Sequence, residues 1–210
     1  MADVFEVMHT QRACRQFDAQ GAVPDSDVET MLHAAVHAPS AENKQPWAFV
    51  VVRDERTRAD LASWWTETWK AGGSEYARQN VSSDALYADL EVAVTARGFA
   101  AAPVVVVVCV DSEQVPEIFA QSSIFPAVQN LLLAANALGY GSCLTTGLTM
   151  FGVDRVRERL ELPATLSPLA AVYIGRATHE LGSPRRRPAT SVAYRETFGT
   201  PWQRGHGEEA

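Results

Sequence analysis

The chain has 210 residues, 47% of them hydrophobic and 20% charged, with a net charge of −7 and a pI near 5.2. That length fits one domain, able to bury about 70% of the surface its unfolded chain exposes. The acidic balance excludes a general nucleic-acid or anionic-membrane binder, so any bound anion has to be held by a local arginine cluster against the global field.

The opening MADVFEVMHT carries two acids and no apolar core segment, and does not read as a signal peptide. Arg12 and Arg15 follow in TQRACRQF; they share a face if this stretch is helical, and are otherwise two solvated charges. VPDSDVETMLHAAVHAP predicts a helix. Ser26 and Glu29 have capping-box spacing, Val28, Met31, Leu32, Ala35 and Val36 fall on one face, and Pro39 stops it. The connector APSAENKQPW (38–47) then places Ser40, Asn43 and Gln45 between Pro39 and Pro46. A plain turn needs fewer hydrogen-bonding side chains.

AFVVV predicts a buried strand and DERTRADLASWW a helix. Residues 63–97 mix Trp64, Trp65, Trp69, Tyr76 and Tyr87 with charge and are too long for a simple connector, so a helical excursion over a site is expected. PVVVVVCV (103–110) is a strand covered on both faces, as at the centre of an α/β sheet. The run around it is too short to span a membrane. SSIFPAVQNLLLAANALGYG predicts a helix apolar nearly all round, buried in a core or an interface and ending at Gly139. In LGYGSCLTTGL (138–148) a helix C-cap and turn explain Gly139 but not Thr145–Thr146–Gly147. DRVRERLEL predicts a short helix stopped by Pro163, and LAAVYIG a third strand. SPRRRPATSV sets Arg185, Arg186 and Arg187 between two prolines, as a solvated basic turn or, with the first arginine pair, a phosphate clamp. The tail RGHGEEA is expected to be disordered.

Several chemistries find no support. Neither dinucleotide-binding nor P-loop glycine patterns occur, and there is no G-x-S-x-G elbow. His33 and His37 are four apart but lack the glutamate of an H-E-x-x-H site, and no metal site is expected. Cys14, Cys109 and Cys143 form no metal or redox pair and read as free thiols in a reducing cytoplasm. Acid–base chemistry thus has no protein-borne engine, which points to a cofactor.

Taken together, R-x-x-R-x-F near the start, APSAENKQPWAFVVV, PAVQNLLLAANALGYGS, the Thr–Thr–Gly run, LAAVYIG and RRRP resemble the FMN-dependent nitroreductase family over residues 4–198. The A-P-S-x-x-N-x-Q-P-W string is the most specific of these. The resemblance implies an α+β fold with a mixed central sheet flanked by helices, built as an intertwined homodimer with FMN in the interface. Residues 1–200 would form a single FMN-binding domain, 63–97 its variable substrate cap, and 201–210 a disordered tail.

By the same resemblance Arg12 and the 185–187 triplet, Arg186 before Arg187, hold the FMN phosphate. Arg15 lies near the pyrimidine end of the ring, where a fixed charge favours the reduced cofactor. Ala13 and Gln11 stand where many members carry Ser and Arg, so the clamp loses a hydroxyl and a charge. Pro39, Ser40, Asn43 and Gln45 form the flavin-contacting loop that reaches across the interface. The backbone N–H groups of Thr146 and Gly147 approach flavin N5. The implied activity is reduction of FMN by NAD(P)H and then of a nitroaromatic, quinone or related small-molecule acceptor, with no catalytic side chain. A flavin-fragmenting or dehalogenating member of the fold, and a non-catalytic flavin store, are the alternatives.

Overall fold

Four strands form one sheet in the computed structural model, which describes residues 3–202. They are β1 (Trp47–Val52), β2 (Val104–Asp111), β3 (Gly141–Thr145) and β4 (Leu166–Gly175), in the order β1-β2-β4-β3, each antiparallel to its neighbours. A parallel bridge between Ala13 and Ser142 beside β3 makes the edge of the sheet mixed. The molecule is α+β, as expected.

β2 is apolar without interruption because it sits inside the sheet with helices on both sides. Val104, Val106, Val108 and Val110 face one cluster, with Ile124, Val128, Leu131 and Met31. Val105, Val107 and Cys109 face the other, with Leu61, Phe99, Leu148 and Tyr173. Alternate residues point to opposite faces of a strand, so two cores need an unbroken apolar sequence. Burying each valine stabilises by about 1.5–3 kcal/mol. β1 is different: it is an edge strand, and Val52 is its one fully buried residue.

The helices are α1 (Val4–Thr10), α2 (Asp25–Ala35), α3 (Glu55–Thr68), α4 (Ser74–Asn80), α5 (Asp84–Val92), α6 (Glu117–Ala137), α7 (Gly147–Phe151) and α8 (Val153–Arg159). α2 buries Val28, Met31 and Ala35 as predicted, but the capping box does not form: Pro24 takes the cap position and Ser26 lies within the first turn. α6 is long and apolar enough to cross a membrane by length and composition, yet eight of its residues are buried in the protein, several against α2 and the sheet. It ends in a Schellman motif, with Gly139 at φ +79° and Tyr140 N–H donating to the Ala135 carbonyl at 2.9 Å.

Residues 63–97 are helical, as expected: α3, a π-helical turn (Trp69–Gly73), α4 and α5 follow one another. β3 was not foreseen; the segment read as a turn is a strand. Of the tail placed at 201–210, Pro201 bridges Tyr194 and Trp202 N–H donates to Ala193, so these two are held in a turn. Residues 203–210, with the whole RGHGEEA stretch expected to be disordered, lie outside the described residues.

Candidate functional site: an arginine-lined cavity

α1 stops at Thr10, and residues 11–17 run extended rather than helical. Cys14 N–H donates to the Ser142 carbonyl at 2.9 Å, and Phe17 N–H to the Arg97 carbonyl at 2.8 Å. Cys14 and Phe17 are thereby fixed in the core, while Arg12, Ala13 and Arg15 border a cavity of ≈ 660 Å³. The helical condition for a shared face is not met; an extended chain pinned at two points achieves the same convergence. Gly141 fits beneath it because a Cβ there would stand 2.6 Å from Cys14 Sγ.

The opposite wall comes from the end of the chain. Arg12 Nη1 donates to the Gly182 carbonyl at 2.9 Å, which draws residues 183–186 to the cavity. Arg185 and Arg186 line it, and Arg186 Nη1 donates to the Arg185 carbonyl at 3.0 Å. Arg187, the second choice for a phosphate contact, is not on the lining.

The third wall is α5. Ser83 caps that helix by accepting from Leu86 N–H at 3.2 Å, and Ser83, Leu86 and Asp89 face the cavity at helical spacing. Asp89 Oδ2 accepts from Arg15 Nη1 at 2.5 Å. Neither the serines nor Asp89 were foreseen. A polar helix surface in a variable segment carries no signal of what it faces.

Four guanidinium groups and one carboxylate on a single lining make a concentrated positive field in an acidic chain. Planar, bidentate donors of this kind suit a phosphate ester, and the volume suits a cofactor-sized ligand.

The 38–47 connector does not line this cavity. Ser40 Oγ accepts from Gln45 N–H at 2.9 Å, and Gln45 Nε2 donates to Asn43 Oδ1 at 3.2 Å. Ser123 Oγ on α6 accepts from Ala41 N–H at 3.1 Å, fixing the loop to the core. Glu42, Asn43 and Gln45 all take left-handed backbone angles, with φ between 50° and 55°. A side chain there is strained by about 1–2 kcal/mol, less for Asn. Asn43 and Gln45 are exposed, Pro39 is exposed and Pro46 is buried. The loop is thus a pre-shaped, outward-facing group of amides.

Thr146 and Gly147 open α7 at the end of β3. Gly147 N–H donates to Thr145 Oγ1 at 3.2 Å, and the ring of Trp65 from α3 covers the Cα of Gly147. Trp65 Nε1 is buried with no acceptor among the described residues. Trp69 and Tyr87 instead pack on one another at 6.0 Å, Tyr76 is 71% exposed, and Trp64 lies under the guanidinium of Arg155.

The three buried thiols, of which Cys14 and Cys143 lie behind the site and Cys109 on β2 away from it, are silent. Burial raises the pKa of Cys14, pushes Cys143 up to about 11, and pushes Cys109 up to about 12. None of them is a thiolate at neutral pH.

Comparison with known proteins agrees with this fold. The family model described as the nitroreductase family matches residues 9–176. A Synechocystis protein named DrgA is 30% identical over 202 residues, covering 88% of this chain and 89% of that protein. A Methanothermobacter thermautotrophicus protein, named for NADH dehydrogenase/NAD(P)H nitroreductase, is 28% identical over 90% of this chain and 81% of its own length. A crystal structure from Desulfovibrio desulfuricans, described as a nitroreductase in complex with FMN, superposes with a TM-score of 0.69 at 26% identity, covering 94% of this chain and 99% of that one.

Proposed function

This chain belongs to the nitroreductase family, and from that premise we propose that it is an FMN-dependent NAD(P)H oxidoreductase acting on nitroaromatics, quinones or related electrophiles. The observation that carries the proposal is the convergence of Arg12, Arg15, Arg185 and Arg186 on one cavity in a chain of net charge −7. Bound FMN supplies two-electron transfer between the two substrates.

The chain's own residues provide position and charge. Arg12, Arg185 and Arg186 hold the phosphate, and the tie from Arg12 to Gly182 keeps their walls together. Arg15 stabilises negative charge at the edge of the ring. Pro39, Ser40, Asn43 and Gln45 serve the partner subunit of a homodimer, which fits their outward display and their distance from the cavity lining of their own subunit. Thr146 and Gly147 put backbone beneath Trp65, whose indole excludes water from that side. NAD(P)H and the acceptor use the same covered space in turn, so the kinetics are ping-pong.

The homodimer is supported by apolar side chains left bare on one subunit. Phe5 on α1 is 65% exposed, Ile118 on α6 is 81% exposed and Phe151 on α7 is 74% exposed. Each such side chain gains by burial against a partner subunit. The three buried free thiols fit a reducing compartment, and the cytoplasm is the proposed location.

The test is the visible spectrum of the purified protein, the identity of the cofactor released by heat, and NAD(P)H oxidation with and without an added quinone. Released FMN and acceptor-dependent oxidation are expected. Bound FMN without NAD(P)H oxidation would make the protein a flavin store, and an absence of flavin would overturn the proposal.

A further inference from the structure

Asp89 is the one acid on the cavity lining among the described residues, and it is spent on Arg15. Its helix is held on the far side by Leu90, by Arg78 stacked over Tyr87, and by Ala93 at its C-cap. Tyr87 is the single buried residue of α5, packed on Trp69, with its hydroxyl 2.7 Å from Ser74 Oγ. A nine-residue helix does not hold itself in water, so its position depends on such contacts. On the cavity side that contact is the Arg15–Asp89 pair, which joins residues 74 apart in sequence. The Arg15 side chain is 17% exposed and that of Asp89 is 35% exposed, so the pair is partly desolvated.

A flavin whose ring edge reaches Arg15 competes with Asp89 for the same guanidinium, while its phosphate goes to Arg12, Arg185 and Arg186. It has to displace the carboxylate or share Arg15 with it, and while Asp89 remains it repels the ligand. Both effects subtract from affinity, and both are properties of one side chain.

We propose that Asp89 is a positioning residue that latches α5 across the cavity through Arg15 and yields Arg15 when an anionic ligand enters. This rests on the reading of that ligand as FMN. The carboxylate thus keeps the arginine oriented and α5 in place as the cavity's third wall in the flavin-free chain, and sets how tightly the cofactor is retained.

The test compares wild type with Asp89→Asn, a change that keeps the shape and removes the charge. In the full-length flavin-free protein, FMN binding is followed by quenching of flavin fluorescence, and amide hydrogen exchange is measured across residues 84–92. The latch predicts that Asp89→Asn binds FMN about three- to tenfold more tightly, a range held down by partial exposure of the pair. It also predicts faster exchange in 84–92 without flavin, and loss of the affinity gain when Arg15→Gln is added. A merely structural contact would weaken FMN binding on removal, so equal or weaker binding by Asp89→Asn overturns the proposal, as does unchanged exchange. If wild type takes up no FMN, the cofactor reading fails by itself. The exchange measurement, which needs no flavin, then decides the latch.

Discussion

The indole of Trp65 lies directly on Gly147, so that a Cβ added at residue 147 would stand 2.7 Å from Trp65 Cε3 and closer still to Cζ3. Gly147→Ala is therefore expected to displace the indole and to destabilise the protein by about 1–3 kcal/mol, the usual cost of overpacking. Trp65→Leu should relieve much of that cost, giving a clear coupling in a thermal-denaturation double-mutant cycle. Additive effects would show that the two residues do not sense one another.

Of the aromatics in 63–97, we propose that Trp65 governs acceptor choice, because it touches a residue of the Thr–Thr–Gly run. Trp65→Ala should change kcat/KM for a quinone or nitroaromatic by about three- to tenfold with FMN still bound. Tyr76→Ala, at an exposed position, should leave acceptor kinetics alone. Steady-state kinetics on both variants check this, and equal effects would remove the special role of Trp65.

The arginines should separate sharply in flavin retention. Arg12→Ala is expected to weaken FMN binding about ten- to a hundredfold, since it removes a charge-assisted contact and the tie to Gly182. Arg187→Ala, off the lining, should change it less than about twofold. Fluorescence titration of FMN distinguishes them.

Assembly is checked by sedimentation. The chain should run as a dimer with an interface above about 2,000 Å². Phe5→Asp, at a bare apolar position on α1, should shift it toward monomer and release flavin. A wild-type monomer that keeps its FMN would contradict the shared site.

The buried thiols give a pH prediction. Burial raises Cys143 to about 11 and Cys109 to about 12 from an ordinary value of 9.0. A folded-state pKa raised above the unfolded one stabilises fully below the unfolded value and is lost as pH rises through the folded value. Stability should thus fall between pH 9 and 12 on this account. Native protein at pH 7.5 (a value chosen below about 8.5, the free-thiol pKa) should not react with a thiol reagent at either position until unfolded.

Much of this was legible before any coordinates. The unbroken valines of 104–108 announced a strand with two covered faces, the Gly139 cap stands as read, and the α2 stripe holds for Val28, Met31 and Ala35, while Val36 falls past the helix end and is exposed. β3 was not legible because Gly141–Thr145 is only five residues long and opens with Gly–Ser directly after a helix cap; its pairing with β4 and the Ala13 bridge make it a strand from outside. Ser26 and Glu29 had the spacing of a cap, but Pro24 begins the helix earlier. In the site, Arg12 and Arg15 were found by charge type. Asp89 was missed because its importance lies in an arginine 74 residues away, and helical spacing reports only on near neighbours.

The hydrogen bond from Arg12 to the Gly182 carbonyl joins points 170 residues apart. Its consequence is one of timing. During synthesis the first arginine pair emerges about 170 residues before the wall that completes the cavity. Closing a loop of that length carries an entropic cost that nearly the whole fold has to offset before the contact forms. A chain cut before residue 182 keeps every strand of the sheet, which ends at Gly175, but lacks one wall of the arginine cavity, and is expected to hold flavin more weakly than the whole chain.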